Sequence, residues 1–197
     1  MPLILPIEDQ FALKVLPPHW APALYELINE NRSYLRKWLP WVDQAVSPEQ
    51  TRQNLILSLT DYQRGGGFSL GLIKEAKVIG VLGFHGFDKI NRITSLGYWL
   101  SATETGNGYM TRAVERACVY AFKIRNMNRI LIRAATQNYS SRGIPERLGF
   151  IHEGTHRQAE WLYDHFVDLE AYSLLQAEWS KNPHSHPVKG TPLFDKP

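Results

Sequence analysis

The sequence predicts one mixed α/β domain over residues 1–180, a mostly antiparallel central sheet of about seven strands with helices on both faces. Three observations predict it. The 197 residues are 44% hydrophobic and 21% charged, the balance of a globular chain with one buried core. The hydrophobic period alternates between two and 3.6 residues along the chain, with no internal repeat. Three strand patterns follow one another between residues 68 and 100, which a series of βαβ units would not contain. A doubly wound nucleotide-binding fold is therefore disfavoured.

Residues 11–15 alternate apolar and polar as a short strand does, and Pro17-Pro18 ends it. A helix is expected over 19–31, with Leu24, Leu27 and Ile28 on its inner stripe. Leu35-Arg36-Lys37-Trp38-Leu39-Pro40-Trp41 is strongly apolar for a connection. Ser47-Pro48-Glu49-Gln50 sets a capping serine, a first-turn proline and a capping-box glutamine in order, so a second helix runs over 47–63 until three glycines break it. Strands are expected over 68–74, 78–87 and 93–100, joined first tightly by Glu75-Ala76-Lys77 and then by a looser turn over 88–91. After Gly108, the apolar residues Met110, Ala113, Val114, Ala117, Cys118 and Ala121 mark a helix buried on one face. A strand over 130–136, a short helix over 141–148 and strands near 150–158 and 166–175 complete the order. From 181 to 197, four prolines predict an irregular, mobile tail.

The charge balance, 22 basic against 19 acidic residues, gives +3, too small an excess to indicate nucleic acid. Lys123, Arg125, Arg129, Arg133, Arg142 and Arg147 lack an interleaved aromatic platform and read as solvated helix and strand faces; the alternative is a polyanion site, and a single phosphorylated cofactor would need only a few of them. The start lacks a basic segment followed by an apolar core, and no apolar run approaches the roughly 20 residues of a membrane span. A cytoplasmic protein with no membrane partner is expected. The single cysteine, Cys118, excludes an intrachain disulfide and sits on the apolar helix stripe, where it reads as core. His152, His156, Asp164 and His165 lie near one another in sequence but make no defined ligand set, so no metal is expected. The oligomeric state stays open, a homodimer included.

The chemistry concentrates in two segments. In Leu96-Gly97-Tyr98-Trp99-Leu100-Ser101-Ala102-Thr103-Glu104-Thr105-Gly106-Asn107-Gly108-Tyr109-Met110-Thr111, a strand runs through a glycine turn directly into a long helix. Such a turn aims backbone N–H groups into one concavity, and the helix dipole adds positive potential there. The bland reading is a plain tight turn. Downstream, a strand ends in Thr136-Gln137-Asn138 and continues as Tyr139-Ser140-Ser141-Arg142-Gly143-Ile144-Pro145-Glu146-Arg147-Leu148-Gly149-Phe150.

Together with Glu160-Trp161-Leu162-Tyr163, Phe166-Val167-Asp168 and the segment Leu35 to Trp41, these residues resemble the GNAT superfamily of N-acetyltransferases, in its ribosomal-protein serine/alanine branch. The resemblance covers roughly residues 10 to 180. It departs at Thr105, where the superfamily usually has Gln or Arg, and at Met110, often Gly or Ala. It implies a splayed strand that the pantetheine of acetyl-CoA joins like an extra strand. Trp99, Leu100, Thr105, Gly106, Asn107, Gly108, Tyr109, Met110, Thr111, Asn138 and Ser141 are then expected to bind acetyl-CoA, and no metal is needed. Backbone N–H groups near Trp99 and Leu100 would polarise the acetyl oxygen.

Ser141 is the candidate donor of a proton to the coenzyme sulfur. Its alternative is capping the short helix, a role that Ser140 or Asn138 can also fill. Glu160 is the candidate general base, or else a surface carboxylate on a strand. Asn138 holds a cofactor amide or an ordered water, or simply ends a strand. Trp38 and Trp41 either roof the core or, with Glu160, wall the acceptor slot. The expected acceptor is a protein N-terminus, a ribosomal one by the resemblance. A small amine such as an antibiotic, polyamine or aminoacyl compound keeps the same chemistry, and a non-catalytic acetyl-CoA-binding module abandons it.

Overall fold

A computed structural model describes residues 3–181; the tail expected over 181–197 lies, apart from Lys181, outside the described residues. The strands are β1 (Ile4–Glu8), β2 (Phe11–Val15), β3 (Phe68–Lys74), β4 (Lys77–Asp88), β5 (Ile93–Leu100), β6 (Arg129–Ala135), β7 (Ile151–Leu162) and β8 (His165–Leu175). They form one eight-stranded sheet in the order β1-β2-β3-β4-β5-β6-β8-β7. The β5–β6 pair is parallel and the other neighbours are antiparallel. The helices are α1 (Ala21–Glu30), α2 (Arg32–Leu35), α3 (Pro48–Gln63), α4 (Tyr109–Val119), α5 (Tyr139–Arg147) and α6 (Gln176–Trp179).

The strand beyond the expected seven is β1. Its Leu5 and Ile7 are buried while Ile4 and Glu8 are exposed, the period of two that marks a half-buried strand. Pro6 obscured it, yet β1 is an edge strand, where a missing N–H costs no ladder bond. The first helix is shorter than expected: a 3-10 turn, Pro18–Trp20, leads into α1, and the chain breaks at Asn31 before α2. Ser47 caps α3 by accepting from the Gln50 N–H at 3.1 Å. The Gln50 side chain turns to Asn54 at 3.4 Å, so only half of the expected capping box forms. A π turn, Tyr120–Ile124, extends α4.

The core lies on both faces of the sheet. On one, α4 lays Met110, Ala113, Val114, Ala117 and Cys118 against Leu82, Phe84, Leu96, Ile130, Ile132, Tyr172 and Leu174. On the other, α1 and α3 bring Leu24, Ile28 and Leu55 onto Ile73 and Val78. Each fully buried aliphatic side chain contributes about 1.5–3 kcal/mol. The helix α5 packs beside α4 on β6, β7 and β8. Among the described residues no helix packs broadly on the opposite face of those three strands.

The sheet is forked at its middle. Strands β5 and β6 pair from Ile93↔Arg129 to Leu96↔Ile132 and then part. Past that point β5 stays on β4 as far as Leu100↔Gly80, and β6 stays on β8 as far as Ala135↔Leu169. Gly80 permits the close ride of β5: a Cβ there would stand 2.5 Å from the Trp99 carbonyl oxygen and 3.0 Å from the Leu100 Cα. Gly80→Ala is expected to destabilise the protein by about 1–3 kcal/mol by overpacking. Gly83→Ala, where the nearest atom to the new methyl is the Ser69 Oγ at 3.6 Å, is expected to cost little. Chemical denaturation of the two variants checks this, and equal midpoints would contradict it.

Candidate active site

The fork leads directly into the glycine turn. Asn31, buried at the end of α1, donates to the Leu27 carbonyl at 2.8 Å and accepts from the Ala102 N–H at 2.9 Å, fixing the chain as it leaves β5. Gly106 and Gly108 take φ of 82° and 73°, the left-handed region that glycine enters at least cost. Gly108 is the N-cap of α4, and no side chain caps that end. The first-turn amides of α4 are therefore left for a ligand, with the helix dipole behind them. A Cβ at Gly106 would meet nothing within 4 Å, so the turn offers bare backbone to the cavity.

That cavity has a volume of about 390 Å³ and is lined by Trp99, Leu100, Thr105, Gly106, Gly108, Tyr109, Met110, Thr111, Asn138 and Ser141. These are the residues expected to hold acetyl-CoA, with one correction. Asn107 does not line it; its side-chain amide folds back onto the Glu104 and Thr105 carbonyls at 3.3 and 3.4 Å and stitches the turn. Sequence reasoning missed Tyr34, Tyr98, Ser140 and Ile144, which also line the cavity; Leu35 and Leu39 of the 35–41 segment and Arg147 of the basic set line it too. Arg147 is exposed and donates to the Thr111 Oγ1 at 3.1 Å. It brings a guanidinium to the glycine-turn end of the cavity, where a phosphorylated cofactor would need one.

The backbone of β5 supplies the second half of the fit. The Ser101 N–H donates to the Ile79 carbonyl at 2.9 Å, so alternation along the ladder turns Trp99 and Gly97 toward β4 as well. Tyr98 and Leu100 consequently present their N–H and C=O to the fork, beyond the last β5–β6 pair. Of the two amides expected to meet the acetyl oxygen, Leu100 faces the fork and Trp99 is used by the ladder. An open strand edge beside an uncapped helix N-terminus fits an extended, amide-bearing ligand with a phosphate end.

The second wall is α5. Its cap is Asn138, whose Oδ1 accepts from the Ser141 N–H at 3.2 Å. The Ser141 hydroxyl makes no hydrogen bond among the described residues and borders the cavity. The Tyr98 hydroxyl donates to the Ser141 carbonyl at 2.9 Å across the fork. Burial pushes the Tyr98 phenol well above its ordinary pKa, so it stays a neutral donor. Arg142 braces the turn before α5, donating to the Thr136 carbonyl at 2.6 Å and to the Tyr172 hydroxyl at 3.0 Å. Beneath it, buried Glu170 accepts from the Thr136 and Thr155 hydroxyls at 3.1 and 3.0 Å and lies 2.5 Å from the His152 Nε2. Those hydrogen bonds, the His152 one foremost, hold the Glu170 carboxyl below its usual range.

Glu160 does not line the cavity. It lies on β7 opposite Val167, half-buried. Burial pushes its carboxyl above the usual range, and the nearby Arg133 guanidinium opposes that shift. On β6, Ile130 and Ile132 face α4, so Arg133 points to the other face of the sheet. The partners Arg133↔Ala171 and Glu160↔Val167 fall on the same alternation of β8, which sets Glu160 on Arg133's face. Trp38 borders the cavity. Trp41 does not: it packs against the α1–α3 core, with its ring centroid 6.2 Å from that of Trp99. The 3-10 turn Val42–Gln44 directly after it is anchored by buried Val42 and redirects the chain, which the apolar run 35–41 did not reveal. The Tyr163 hydroxyl donates to the Leu39 carbonyl at 2.6 Å, and the Arg36 guanidinium lies 3.8 Å from the centre of the Tyr163 ring. These contacts close the 35–41 segment onto the β7–β8 hairpin.

An open β edge and a bare helix N-terminus meeting in one slot define a binder of a coenzyme-like ligand. Residues 13–151 match the acetyltransferase (GNAT) domain, and the chain belongs to the GNAT acetyltransferase family. A Bacillus subtilis (strain 168) protein provisionally named a ribosomal N-acetyltransferase is 33% identical over 177 residues, covering 88% of this chain and 95% of its own. The ribosomal-protein-serine acetyltransferase of Escherichia coli (strain K12) is 28% identical over 167 residues, covering 85% and 93%. The solved structure of RimL, a ribosomal L7/L12 α-N-protein acetyltransferase in complex with coenzyme A, superposes with a TM-score of 0.85 at 26% identity, covering 89% of this chain and 99% of that one. The protein is an N-acetyltransferase with acetyl-CoA as its acetyl donor.

The two tryptophans should separate cleanly. Trp41→Ala is expected to lower stability by about 3 kcal/mol with little change in the acceptor KM. Trp38→Ala is expected to raise the acceptor KM with a nearly unchanged melting temperature. Thermal melts beside bisubstrate kinetics check both, and the reverse pattern would return Trp41 to the slot.

Proposed function

We propose that this enzyme acetylates the N-terminal α-amino group of a protein, a ribosomal protein by its likeness to the relatives above, through direct attack in a ternary complex. The cytoplasm is the proposed compartment, with residues up to 180 acting as one domain; no described helix is long and apolar enough to cross a membrane. The observation that carries the reading is the fork itself. One side of it is lined by the glycine turn, while Trp38 and Leu39 border the same cavity and Glu160 stands on the sheet face opposite α4. A thioester laid along β5 is then open to an amine arriving from that face.

In the proposed reaction the neutral amine attacks the thioester carbonyl carbon, a C–N bond forms and the C–S bond breaks. The Leu100 N–H polarises the acetyl oxygen. Glu160 accepts the amine's proton, directly or through one water, and the Ser141 hydroxyl protonates the departing sulfur; Ser141 then regains a proton from solvent and Glu160 releases its own to solvent. Asn138 acts on Ser141 through the backbone, fixing the turn that presents it. An α-amino group titrates near 7.7–8.0, and a carboxyl raised by burial is better matched to it than an ordinary one.

Ser141→Ala is expected to lower kcat with little change in coenzyme affinity, since its loss is felt at the leaving thiolate. Glu160→Gln is expected to lower the rate most near neutral pH. It also carries a stability signature. Because burial raises the Glu160 pKa in the folded state, the protonated carboxyl favours folding, and that favour is lost as pH rises through the folded value. A neutral glutamine avoids the loss, so Glu160→Gln should melt above wild type at neutral pH and match it near pH 4, roughly where an unperturbed glutamate protonates. A wild-type rate and an unshifted melt would return Glu160 to a solvated strand position. Turnover of small amines with none of N-terminal peptides would replace the protein acceptor by a small-molecule one.

A further inference from the structure

One charged residue stands where an interior strand is ordinarily apolar. Strand β6 lies between β5 and β8, and Arg133 is its exposed residue among buried or half-buried neighbours. Its guanidinium makes no hydrogen bond or ion pair among the described residues. Ala171 directly across β8 and buried Leu169 next to it on that face supply no side-chain acceptor, and the Ser173 hydroxyl on the other side makes no hydrogen bond to the guanidinium. A cation kept over a largely apolar floor without a hydrogen-bonded partner is costly to cover with anything but an anion.

The position is also particular. Arg133 is one residue past the last β5–β6 pair, Leu96↔Ile132, so it stands at the apex of the fork on the face opposite α4. Glu160 of β7 and His85 of β4 lie to either side, both within its electrostatic reach. The His85 ring lies against Gly97, where a Cβ would collide with it. A chain entering over this face to bring its amine to the fork must pass the guanidinium.

We propose that Arg133 anchors a carboxylate of the acceptor, carried by an Asp or Glu side chain within about the first four residues of the peptide. The enzyme then selects amino termini by the charge that follows them. This rests on the reading of the acceptor as a protein N-terminus. Glu160 has its own task with the amine's proton, which leaves the guanidinium free for an anion from the acceptor. A charge-assisted pair covered by bound peptide changes kcat/KM by roughly tenfold or more.

The test uses the full chain, acetyl-CoA and peptides that differ only in Asp, Ala or Lys at positions two to four. Wild type should prefer the acidic peptides over the lysine ones by roughly tenfold or more in kcat/KM. Arg133→Gln should erase that preference, and Arg133→Glu should reverse it, with the acetyl-CoA KM and melting temperature unchanged. A preference that persists in Arg133→Gln, or an equal loss on every peptide, overturns the anchor while leaving the protein acceptor standing. Peptides left unacetylated while a small amine bearing a carboxylate is turned over in an Arg133-dependent way would overturn the protein acceptor and keep the anchor. Turnover of small amines without dependence on Arg133 would overturn both.

Discussion

Strands β5 and β6 share only the pairs from Ile93↔Arg129 to Leu96↔Ile132, and the rest of the site follows from their parting. Each strand is committed elsewhere, β5 to β4 and β6 to β8, so the sheet behaves as two half-sheets hinged at a short parallel seam. The parting leaves the fork-side N–H and C=O groups of Tyr98 and Leu100 without strand partners. Backbone groups shielded from water without a partner cost about 1–3 kcal/mol each. A ligand that supplies an acceptor and a donor in an extended line recovers that cost, which is why the edge suits a pantetheine arm.

The fork must also be held open, and polar ties across it do so. The Tyr98 hydroxyl reaches the Ser141 carbonyl, Arg147 reaches Thr111, and Asn31 pins the exit of β5. These ties join β5, α4 and α5 into one rigid rim. Asn138 takes the capping role, and the Ser141 hydroxyl makes no hydrogen bond among the described residues. The same alternation that turns Ile130 and Ile132 toward α4 turns Arg133 to the opposite face, so the two sides of the fork differ in character. The α4 side is apolar with bare amides at the glycine turn; the other side carries Glu160, Arg133 and His85.

Much of this was legible in the residues because local physics fixes it. The Ser47 cap, the stripe of Met110, Ala113, Val114 and Ala117, and the two glycines before α4 each depend on neighbours a few positions away. The residues missed depend on tertiary closure. Pro6 hid β1 because only its edge position makes a proline acceptable there. Trp41 and Trp38 are alike in sequence, and only the 3-10 turn after Trp41, which redirects the chain, separates them. Asn31 and Tyr98 act on partners 71 and 43 positions away, separations at which no periodicity reports. No local pattern marks Glu160, and its face of the sheet follows only from the β7–β8 register.

The central claim, that the fork edge of β5 is an unfilled ladder which acetyl-CoA completes, is tested most directly by residue-resolved amide exchange with and without the coenzyme. The Trp99 and Ser101 amides, already paired with β4, should exchange slowly in both states. The Leu100 and Tyr98 amides should exchange faster in the free protein and become protected on binding, the Leu100 amide most of all. Protection already complete in the free protein, or coenzyme binding that leaves Tyr98 and Leu100 unchanged, would contradict the account.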